Sequence, residues 1–291
     1  MSKQKIRFII NPISGKKHRK NLASQIESVL NRDRFEYDIK ISEYAGHSKE
    51  LVQEAIDRHY DIVAVAGGDG SINEVGTRLI GTDIALAVIP CGSGNGLSRC
   101  LNIPLDPIKA LELINRAAVC KIDTVEVNGV PFISISGTGY DAQVADDYAK
   151  DPHRGFNTYF RYIVKNYFHL GEKEYTIQLP DREIQTKAFF ISFANSNQMG
   201  YDVPISPKAS LWDGKVDLCI VRKPNPLELH IVGSYFLSKN MDKSPKVDII
   251  QTEEATILRP EPAVVNIDGE SVMFDKDLHI KINPLSLHVI V

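Results

Sequence analysis

The residues best suited to chemistry lie in the segment 65–75, where three glycines surround the carboxylate of Asp69. An apolar run, 61–66, precedes the glycines, and a helical pattern follows them. Glycine lets the backbone turn sharply and approach a ligand closely. The start of a helix offers unpaired N–H groups and a positive dipole end to an anion. A carboxylate here repels phosphate unless a cation lies between them, so the segment predicts a site for a nucleotide with Mg²⁺.

Two further loops follow apolar segments in the same way, at residues 11–17 and 91–99. In the first, Pro12 fixes the turn, Ser14 offers a hydroxyl and Gly15 permits close backbone approach. The second contains three glycines and serine hydroxyls. Either loop alone is typical of an ordinary strand-to-helix connection, and neither fits the P-loop pattern. Together with the segment around Asp69, they indicate one anion-binding region.

The elements that must position these loops alternate between strand and helix over the first 120 or so residues. Such repeated units predict a parallel sheet with helices on both faces. Ligands of such sheets bind beyond the carboxyl ends of the strands, where all three loops lie. The predicted strands are 6–10, 37–41, 61–66 and 84–90, and the predicted helices are 22–30, 47–59, 71–80 and 107–117.

The pattern changes near residue 120, where apolar and polar residues alternate around an Asn128-Gly129 turn. This is a hairpin signature. We therefore predict a nucleotide-binding α/β domain at 1–122 and a mainly antiparallel, β-rich domain at 123–291. The second domain has helical interruptions near 159–170 and 226–237. Its further predicted strands are 175–179, 188–194, 215–221, 264–267, 279–282 and 287–291.

Bulk composition excludes several classes of protein. The chain has 291 residues and a formal net charge of −3, which disfavours general nucleic-acid binding. Its four cysteines show no CxxC or zinc-binding spacing and indicate free thiols in a reducing compartment. No signal peptide precedes the first predicted strand, and no apolar run is long enough to span a bilayer. We therefore predict a cytoplasmic protein whose membrane contact is peripheral and transient.

Six motifs, in the same order as in the family and spread over nearly the whole chain, resemble the diacylglycerol kinase catalytic domain family of lipid kinases. That family includes diacylglycerol, sphingosine and ceramide kinases and bacterial soluble lipid kinases. The resemblance implies ATP-dependent phosphorylation of a lipid hydroxyl in an interdomain cleft, with an N-terminal domain of the phosphofructokinase and NAD-kinase type. The motifs are Asn11-Pro12-x-Ser14-Gly15, Gly67-Gly68-Asp69-Gly70-Ser71-x-x-Glu74-Val75, Pro90-x-Gly92-Ser93-Gly94-Asn95, Gly137-Thr138-Gly139-Tyr140-Asp141-Ala142, Asp213-Gly214-Lys215-Val216-Asp217 and Ile267-Asp268-Gly269-Glu270.

The resemblance also implies roles for individual residues around ATP and Mg²⁺. The backbone of the first two motifs cradles phosphates, and Ser42 and Ser93 match positions that contact the nucleotide. Asp69 holds Mg²⁺ against the phosphates, and Glu74 supports that site from the helix. The predicted nucleotide-binding set is Asn11, Pro12, Ser14, Gly15, Ser42, Gly67, Gly68, Asp69, Gly70, Ser71, Glu74, Ser93, Gly94, Asn95 and Glu270.

The proton acceptor has two candidates. Asp268 precedes a glycine between apolar segments, which is a hairpin turn by default. In bacterial family members, however, the Asp of this D-G-E triplet resembles a general base on the lipid hydroxyl. Sphingosine kinases give that role to the Asp of the earlier Gly-Gly-Asp-Gly turn, which makes Asp69 the rival. Asp268 is favoured as the base and Asp69 as the metal ligand, with Glu270 near the metal or paired with Lys16.

A second metal site is implied at Asp213, which by default also lies in a turn. The resemblance to bacterial relatives implies a structural Mg²⁺ site here. Its ligands would be this Asp, the carbonyl oxygen of Lys215 and a group of Ser210. Hard oxygen ligands suit Mg²⁺ or Ca²⁺.

The acceptor is the least determined feature. The third motif resembles the G-S-G-N-A-L form of sphingosine and ceramide kinases, and Gly96 stands where many diacylglycerol kinases have a carboxylate. The segment 158–168 mixes aromatic and cationic residues, as an interfacial helix does, although a core helix has the same composition. We expect a lipid presented at a membrane surface, and a homodimer stays open.

Two other functions stay open beside the lipid kinase. The Gly-Gly-Asp-Gly turn also occurs in NAD kinases, so a kinase of a soluble small molecule is the first alternative. A catalytically silent lipid- or nucleotide-sensing module is the second. The N-P-x-S-G start and the late D-G-E triplet favour the lipid kinase.

Overall fold

A computed structural model describes residues 3–12, 21–153, 156–198 and 204–291. The chain divides into two compact units. The first consists chiefly of Met1–Thr124 and Pro284–Val291, and the second of Val125–Met199 and Val203–Asn283. The predicted domain boundary lies at 122, with all later residues in the second domain. In the structure, the C-terminal segment belongs to the first unit instead.

Four parallel strands form the sheet of the first unit, in the order β2-β1-β3-β4. Strands β3 and β4 are buried along their whole length, which fits a parallel sheet covered by helices on both faces. The strands are β1 (Gln4–Ile10), β2 (Phe35–Ile41), β3 (Ile62–Gly67) and β4 (Ala85–Pro90). The helices are α1 (Leu22–Val29), α2 (His47–Asp57), α3 (Asp69–Leu79), α4 (Gly96–Cys100) and α5 (Pro107–Arg116).

The local sequence explains where these elements begin and end. The Asp106 carboxylate accepts the N–H groups of Ile108 and Lys109 and caps α5, whose first residue is Pro107. Helix α3 begins at Asp69, two residues earlier than predicted. Asp69 is therefore part of the first helical turn and not of the preceding loop.

The second unit is a β-sandwich with antiparallel layers. One layer has the strand order β12-β11-β10-β7-β14-β15, and every pairing within it is antiparallel. Apolar side chains from both layers form the core, among them Phe132, Phe193 and Ile257. The strands are β5 (Val119–Val127), β6 (Val130–Phe132), β7 (Ile135–Gly139), β8 (Lys173–Gln178), β9 (Glu183–Ala188), β10 (Phe190–Ala194), β11 (Val216–Val221), β12 (Val247–Thr252), β13 (Glu254–Leu258), β14 (Ala263–Ile267), β15 (Glu270–Phe274) and β16 (Asp277–Ile290). The predicted combination of a parallel α/β sheet with antiparallel β structure is confirmed.

Among the described residues, the helices that interrupt these strands are α6 (Tyr140–Lys150), α7 (Phe156–His169) and α8 (Leu229–Leu237). Two were predicted, but α6 was missed because its polar sequence gives a weak apolar period. Strand β16 was predicted as two strands, since Pro284 and Leu285, whose φ is +47°, break the alternation. Its last residues return to the first unit, where Val289 pairs in parallel with Leu86. Among the described residues, no helix has the length and hydropathy needed to cross a membrane.

Candidate functional site

The loops that follow the four parallel strands of the first unit lie at one edge of its sheet. The backbone N–H groups of Asn11, Ser42 and Cys91 each donate to a carbonyl near the end of a neighbouring strand, at 3.0, 3.0 and 2.8 Å. These bonds hold the chain in register beyond the last strand residues. The first, second and third predicted loops therefore begin side by side, as parallel strand order requires. Of the first loop, only Asn11 and Pro12 are described, and Ser14 and Gly15 lie outside the described residues.

Asp69 joins the second loop to the third. Its Oδ2 accepts the N–H of Asn95 at 2.9 Å, and its Oδ1 accepts the N–H of Gly96 at 2.6 Å. Both donors lie at the start of α4, where backbone N–H groups have no helical partner. The negative charge of Asp69 is thus partly compensated by backbone donors. From the sequence alone, only a cation was expected to compensate this charge.

Asn95 closes the third loop from within. Its φ is +52°, a left-handed conformation that asparagine tolerates better than most residues. Its side-chain amide is paired twice with Gly92, as acceptor for the N–H at 3.0 Å and as donor to the carbonyl at 2.8 Å. Asn95 is buried, so its side chain maintains the shape of the loop and presents no group to solvent.

The glycines of these loops have different structural reasons. A Cβ at Gly92 would lie 2.6 Å from the Cα of Gly68, and a Cβ at Gly67 would lie 2.5 Å from the Cβ of Ser71. Gly92 and Gly67 are glycine because neighbouring backbone and side-chain atoms leave no room for a Cβ. A Cβ at Gly70, in contrast, would have no neighbouring atom within 4 Å. Packing does not require glycine at Gly70, which lies open in the first turn of α3.

Further predicted residues surround this edge. The Asn11 side-chain amide donates to the hydroxyl of Ser71 at 2.7 Å and links the first loop to the second. Ser71 and Ser42 are buried, and Ser93 is exposed. The carboxylate of Glu74 is partly buried and has no hydrogen-bond partner among the described residues.

Asn73 was not predicted, although it lies in the same helical turn. Its side-chain oxygen is buried and has no hydrogen-bond partner in the part of the chain that the structure describes. A burial pattern on α3 identifies this position, but the sequence motif alone gave it no role.

Asp268 occupies a different environment, in the second unit. It forms a two-residue turn with Gly269 between β14 and β15, with φ values of +46° and +94°. Its carboxylate accepts three consecutive backbone N–H groups: Oδ2 that of Ile133 at 2.7 Å, and Oδ1 those of Ser134 at 3.0 Å and Ile135 at 2.8 Å. The carboxylate therefore anchors the hairpin to the segment between β6 and β7.

Glu270 follows this turn and is exposed at the start of β15. Its predicted partner Lys16 lies outside the described residues. The structure thus brings together most predicted nucleotide-binding residues in the first unit, while Asp268 and Glu270 belong to the second.

The implied structural metal site lies in the turn before β11. The Asp213 carboxylate accepts the N–H of Lys215 at 3.1 Å, and the Ser210 hydroxyl accepts that of Trp212 at 3.3 Å. These are hard oxygen donors within one exposed turn, which suit Mg²⁺ chemically. Among the described residues there is no cluster of three or more His, Cys, Asp or Glu that could hold a metal. A cation here would therefore depend on one carboxylate, a hydroxyl, backbone carbonyl oxygen and water.

Asp141 is a further carboxylate to which the sequence motif gave no role. It lies in the first turn of α6, and both carboxylate oxygens are buried without a hydrogen-bond partner among the described residues. One oxygen lies only 2.5 Å from where a Cβ at Gly137 would be, so this close approach needs glycine. Burial raises the pKa of Asp141 to about 7, and the nearby backbone N–H groups of Ala142 and Asp141, which do not reach hydrogen-bond geometry with the carboxylate, oppose that rise only in part.

Two family models match the chain. The diacylglycerol kinase catalytic domain matches residues 5–127, and the YegS C-terminal NAD kinase beta sandwich-like domain matches residues 134–291, more than half of the chain. The diacylglycerol kinase of Staphylococcus saprophyticus is 26% identical over 273 residues, covering 92% of this chain and 89% of the relative. That of Bacillus subtilis is 28% identical over 272 residues, covering 92% and 90%.

Solved structures agree on the fold. A crystal structure of a diacylglycerol kinase from Bacillus anthracis str. Sterne has a TM-score of 0.77 at 19% identity and covers 100% of this chain and 97% of that one. A second structure from the same organism has a TM-score of 0.82 at 20% identity, with 100% and 96% coverage. The resemblance stated from the motifs is confirmed: the chain belongs to the diacylglycerol kinase family, with a catalytic domain followed by a YegS-type C-terminal domain.

Proposed function

We propose that this protein is an ATP- and Mg²⁺-dependent lipid kinase that transfers the γ-phosphate of ATP to a lipid hydroxyl. The observation that carries the proposal is the joining of the strand-end loops by Asp69 in a chain of this family. In this proposal, the first unit binds the nucleotide and the second unit binds the acceptor.

The phosphates of ATP would lie against the start of α3. The N–H groups in the first turn of this helix have no acceptor within the helix, and no side chain caps them. The open space at Gly70 lets a phosphate approach the backbone closely. The bond between Asn11 and Ser71 fixes the neighbouring loop, so little ordering would be needed when ATP binds.

Asp69 could coordinate Mg²⁺ without losing its present hydrogen bonds. Each of its oxygens accepts one N–H group, and a carboxylate oxygen has two lone pairs. Glu74 is nearby on the same helix and has no hydrogen-bond partner among the described residues. A bound Mg²⁺ would supply charge neutralisation at the phosphates. The residues of this chain would orient the phosphate chain for in-line transfer.

Asp268 is proposed as the proton acceptor for the lipid hydroxyl, with Asp69 as its rival. Its three backbone donors hold the carboxylate in a fixed position, which suits a base that must be preorganised. The same donors occupy its lone pairs. Accepting a proton would therefore require Asp268 to weaken at least one of these bonds.

Diacylglycerol is the first acceptor to test, because the curated relatives carry the name diacylglycerol kinase. Gly96 stands where many diacylglycerol kinases have a carboxylate, so sphingoid bases belong in the same panel. The experiment incubates the purified protein with radiolabelled ATP and Mg²⁺ on mixed micelles of each lipid, with NAD as a soluble acceptor. We expect label in the lipid phase. Label in NADP instead would support the soluble-substrate alternative, and no label in any acceptor would contradict the proposal.

Asp69→Ala should abolish the transfer while the protein stays folded. Asp83→Ala is the matched control, because Asp83 is an exposed carboxylate of the same unit that lies just before β4, at the opposite end of that strand. Normal activity in Asp69→Ala, or equal loss in both variants, would contradict the role given to Asp69.

A further inference from the structure

Tyr44 and His47 form an aromatic pair in the connection between β2 and α2. Their ring planes are 4° apart and their ring centroids are 4.6 Å apart, which fits an offset stack. The Tyr44 side chain is nevertheless 55% exposed. Since His47 covers one face of the Tyr44 ring, an exposure this large leaves the other face open to solvent.

Hydrogen bonds hold this pair in place before any ligand binds. The Tyr44 hydroxyl donates to the Glu50 carboxylate at 2.7 Å, a charge-assisted bond within the same segment. The Nδ1 atom of His47 accepts the N–H of Glu43 at 3.1 Å, which orients the imidazole ring. Between the two rings the backbone turns at Gly46, whose φ is +89°. A ring that is already ordered loses little conformational freedom when a ligand stacks on it.

The pair lies at the edge of the sheet where the predicted phosphate-binding loops begin. Ile41, the last residue of β2, is in register with Ile10, and the N–H of Ser42 donates to the carbonyl of Ile10 at 3.0 Å. Strand β1 lies between β2 and β3. Neighbouring strands are about 4.8 Å apart, so the ends of β2 and β3 are about 10 Å apart. The ribose and triphosphate of a nucleotide span a distance of this order, so a nucleotide with its phosphates at α3 reaches this connection with its base.

Apolar exposure and charge indicate what the open ring face can bind. Ile41 is 56% exposed, so a second large apolar side chain lies open at the end of β2. Glu43 and Glu50 are exposed on either side of Tyr44 in the sequence and disfavour a second phosphate group there. A neutral, planar base suits both the apolar side chains and the carboxylates. The two fused rings of a purine cover more of a phenol ring than the single ring of a pyrimidine.

We propose that Tyr44 is the stacking platform for the base of the nucleoside triphosphate, and that it selects purines over pyrimidines. The base lies on the open face of the Tyr44 ring, and His47 supports the opposite face. Glu50 is a positioning residue, because it acts on the base only through the Tyr44 hydroxyl. The inference rests on the proposed function, in which the first unit binds the nucleotide, and deepens it by naming a residue that sets nucleotide specificity.

The test is titration calorimetry of the purified protein with Mg²⁺ and one of five ligands: ATP, GTP, CTP, UTP or inorganic tripolyphosphate. We expect the wild type to bind both purine nucleotides at least about fivefold more tightly than both pyrimidine nucleotides. Tyr44→Ala should lose about tenfold in affinity for ATP and for GTP and should lose the purine preference. Its affinity for tripolyphosphate should equal that of the wild type, because this ligand has no base.

Two further variants serve as controls for Tyr44→Ala. Tyr44→Phe keeps the aromatic ring and should bind ATP within about threefold of the wild type. Leu105→Ala removes an exposed apolar side chain elsewhere in the first unit and should bind all five ligands as the wild type does.

A double-mutant cycle tests the positioning role of Glu50. Glu50→Ala and Tyr44→Phe remove the same hydrogen bond, so each should cause a similar small loss of ATP affinity, and the double variant should lose no more than either alone. Glu50→Gln retains an acceptor for the Tyr44 hydroxyl and should recover the wild-type ATP affinity. Additive losses in the cycle would contradict the positioning role.

The outcomes separate this inference from the proposed function. Equal wild-type affinity for purine and pyrimidine nucleotides would overturn the inference alone, and so would an equal loss of ATP and tripolyphosphate affinity in Tyr44→Ala. Purine-selective binding that depends on Tyr44, without phosphoryl transfer to any acceptor, would contradict the proposed function and leave the role of Tyr44 intact. A wild-type protein that binds none of the five ligands would overturn both.

Discussion

Asp69 in the first unit and Asp268 in the second are both carboxylates in glycine-containing segments, and both accept consecutive backbone N–H groups. Asp69 accepts two of them, one on each oxygen. Asp268 accepts three, and its bond to Ser134 is shared between both oxygens at 3.0 and 3.3 Å. The Asp69 carboxylate joins two loops at the end of a parallel sheet, whereas the Asp268 carboxylate joins a hairpin to a neighbouring strand connection.

The difference determines what each carboxylate can still bind. A carboxylate has about four lone-pair sites. Among the described residues, each Asp69 oxygen accepts one N–H group and so keeps one lone pair for a further ligand. The lone pairs of Asp268 are taken up by its backbone donors. We therefore expect the Asp268 carboxylate to stabilise the fold in addition to its proposed role as proton acceptor, and the Asp69 carboxylate to contribute to the chemistry with less effect on stability. Four predictions test this comparison, beginning with the largest expected effect.

Asp268→Asn should cost about 5 kcal/mol of unfolding free energy, because an amide cannot accept on both sides and leaves charge-assisted N–H bonds unmade. Urea unfolding measures the loss. Asp275→Asn, an exposed carboxylate in the next turn, should unfold within about 0.5 kcal/mol of the wild type. A stable Asp268→Asn variant without any phosphoryl transfer would show that the carboxylate serves chemistry and not the fold.

Asp69→Asn should lower kcat/KM for ATP about a thousandfold, equivalent to about 4 kcal/mol of transition-state stabilisation, if the free lone pairs of Asp69 hold a Mg²⁺ ion at the phosphates. Its unfolding free energy should fall by only about 1–2 kcal/mol, since one of two N–H bonds is retained. Steady-state kinetics and urea unfolding of the same preparation separate the two effects. Turnover within tenfold of the wild type, with Asp83→Asn as control, would reverse the comparison.

Asp141 shows the effect of burial on a carboxylate without such donors. Its pKa in the folded protein is about 7, above the ordinary value of 3.8, so the folded state binds more protons between these pH values. The stabilising effect of the protonated form is complete below about pH 4 and is lost as pH rises through about 7. The Asp141→Asn variant lacks this titrating carboxyl proton. Its unfolding free energy relative to the wild type should rise between pH 4 and pH 8 by up to about 4 kcal/mol.

Urea unfolding at a series of pH values measures this difference. Tyr175, whose pKa is raised to about 12 chiefly by burial, stays protonated over the whole range and does not interfere. A constant difference between Asp141→Asn and the wild type at all pH values would mean that Asp141 is ionised in the folded protein.

The smallest effects should separate two glycines of the Asp69 region. Gly92→Ala places a Cβ 2.6 Å from the Gly68 backbone and should cost about 2 kcal/mol of unfolding free energy. Gly70→Ala meets no neighbour and should leave stability unchanged or raise it by less than about 1 kcal/mol. If phosphate approaches the backbone at this point, Gly70→Ala should nevertheless weaken ATP binding severalfold in calorimetry. Unchanged ATP affinity would place the phosphates elsewhere.

The sequence was most informative where the chemistry is local. The apolar runs before Asn11, Gly67 and Cys91 predicted parallel strands, and parallel strands necessarily place the following loops at one edge. The Asn128-Gly129 turn was predicted because Asn and Gly readily adopt positive φ. In the structure their φ values are +49° and +78°. These features depend on residues close together in the chain, so the sequence carries them directly.

The site was less predictable where it depends on contacts over long sequence distances. Nothing near Asp69 in the sequence indicates that its oxygens accept N–H groups 26 and 27 residues away. Nothing near Asp268 indicates donors 133 to 135 residues earlier. Because the polar sequence of α6 gave no helical prediction, the burial of the Asp141 carboxylate could not be predicted either.

The sequence by itself determined the family motifs, the alternation of strands and helices, and which loops carry glycine and carboxylate. Only the tertiary structure decided which carboxylates are already hydrogen-bonded, which glycine lies open, and that the last residues of the chain return to the first unit. The physical reason is that a side chain's remaining capacity to bind is set by its neighbours in space, and those neighbours are chosen by packing rather than by sequence proximity.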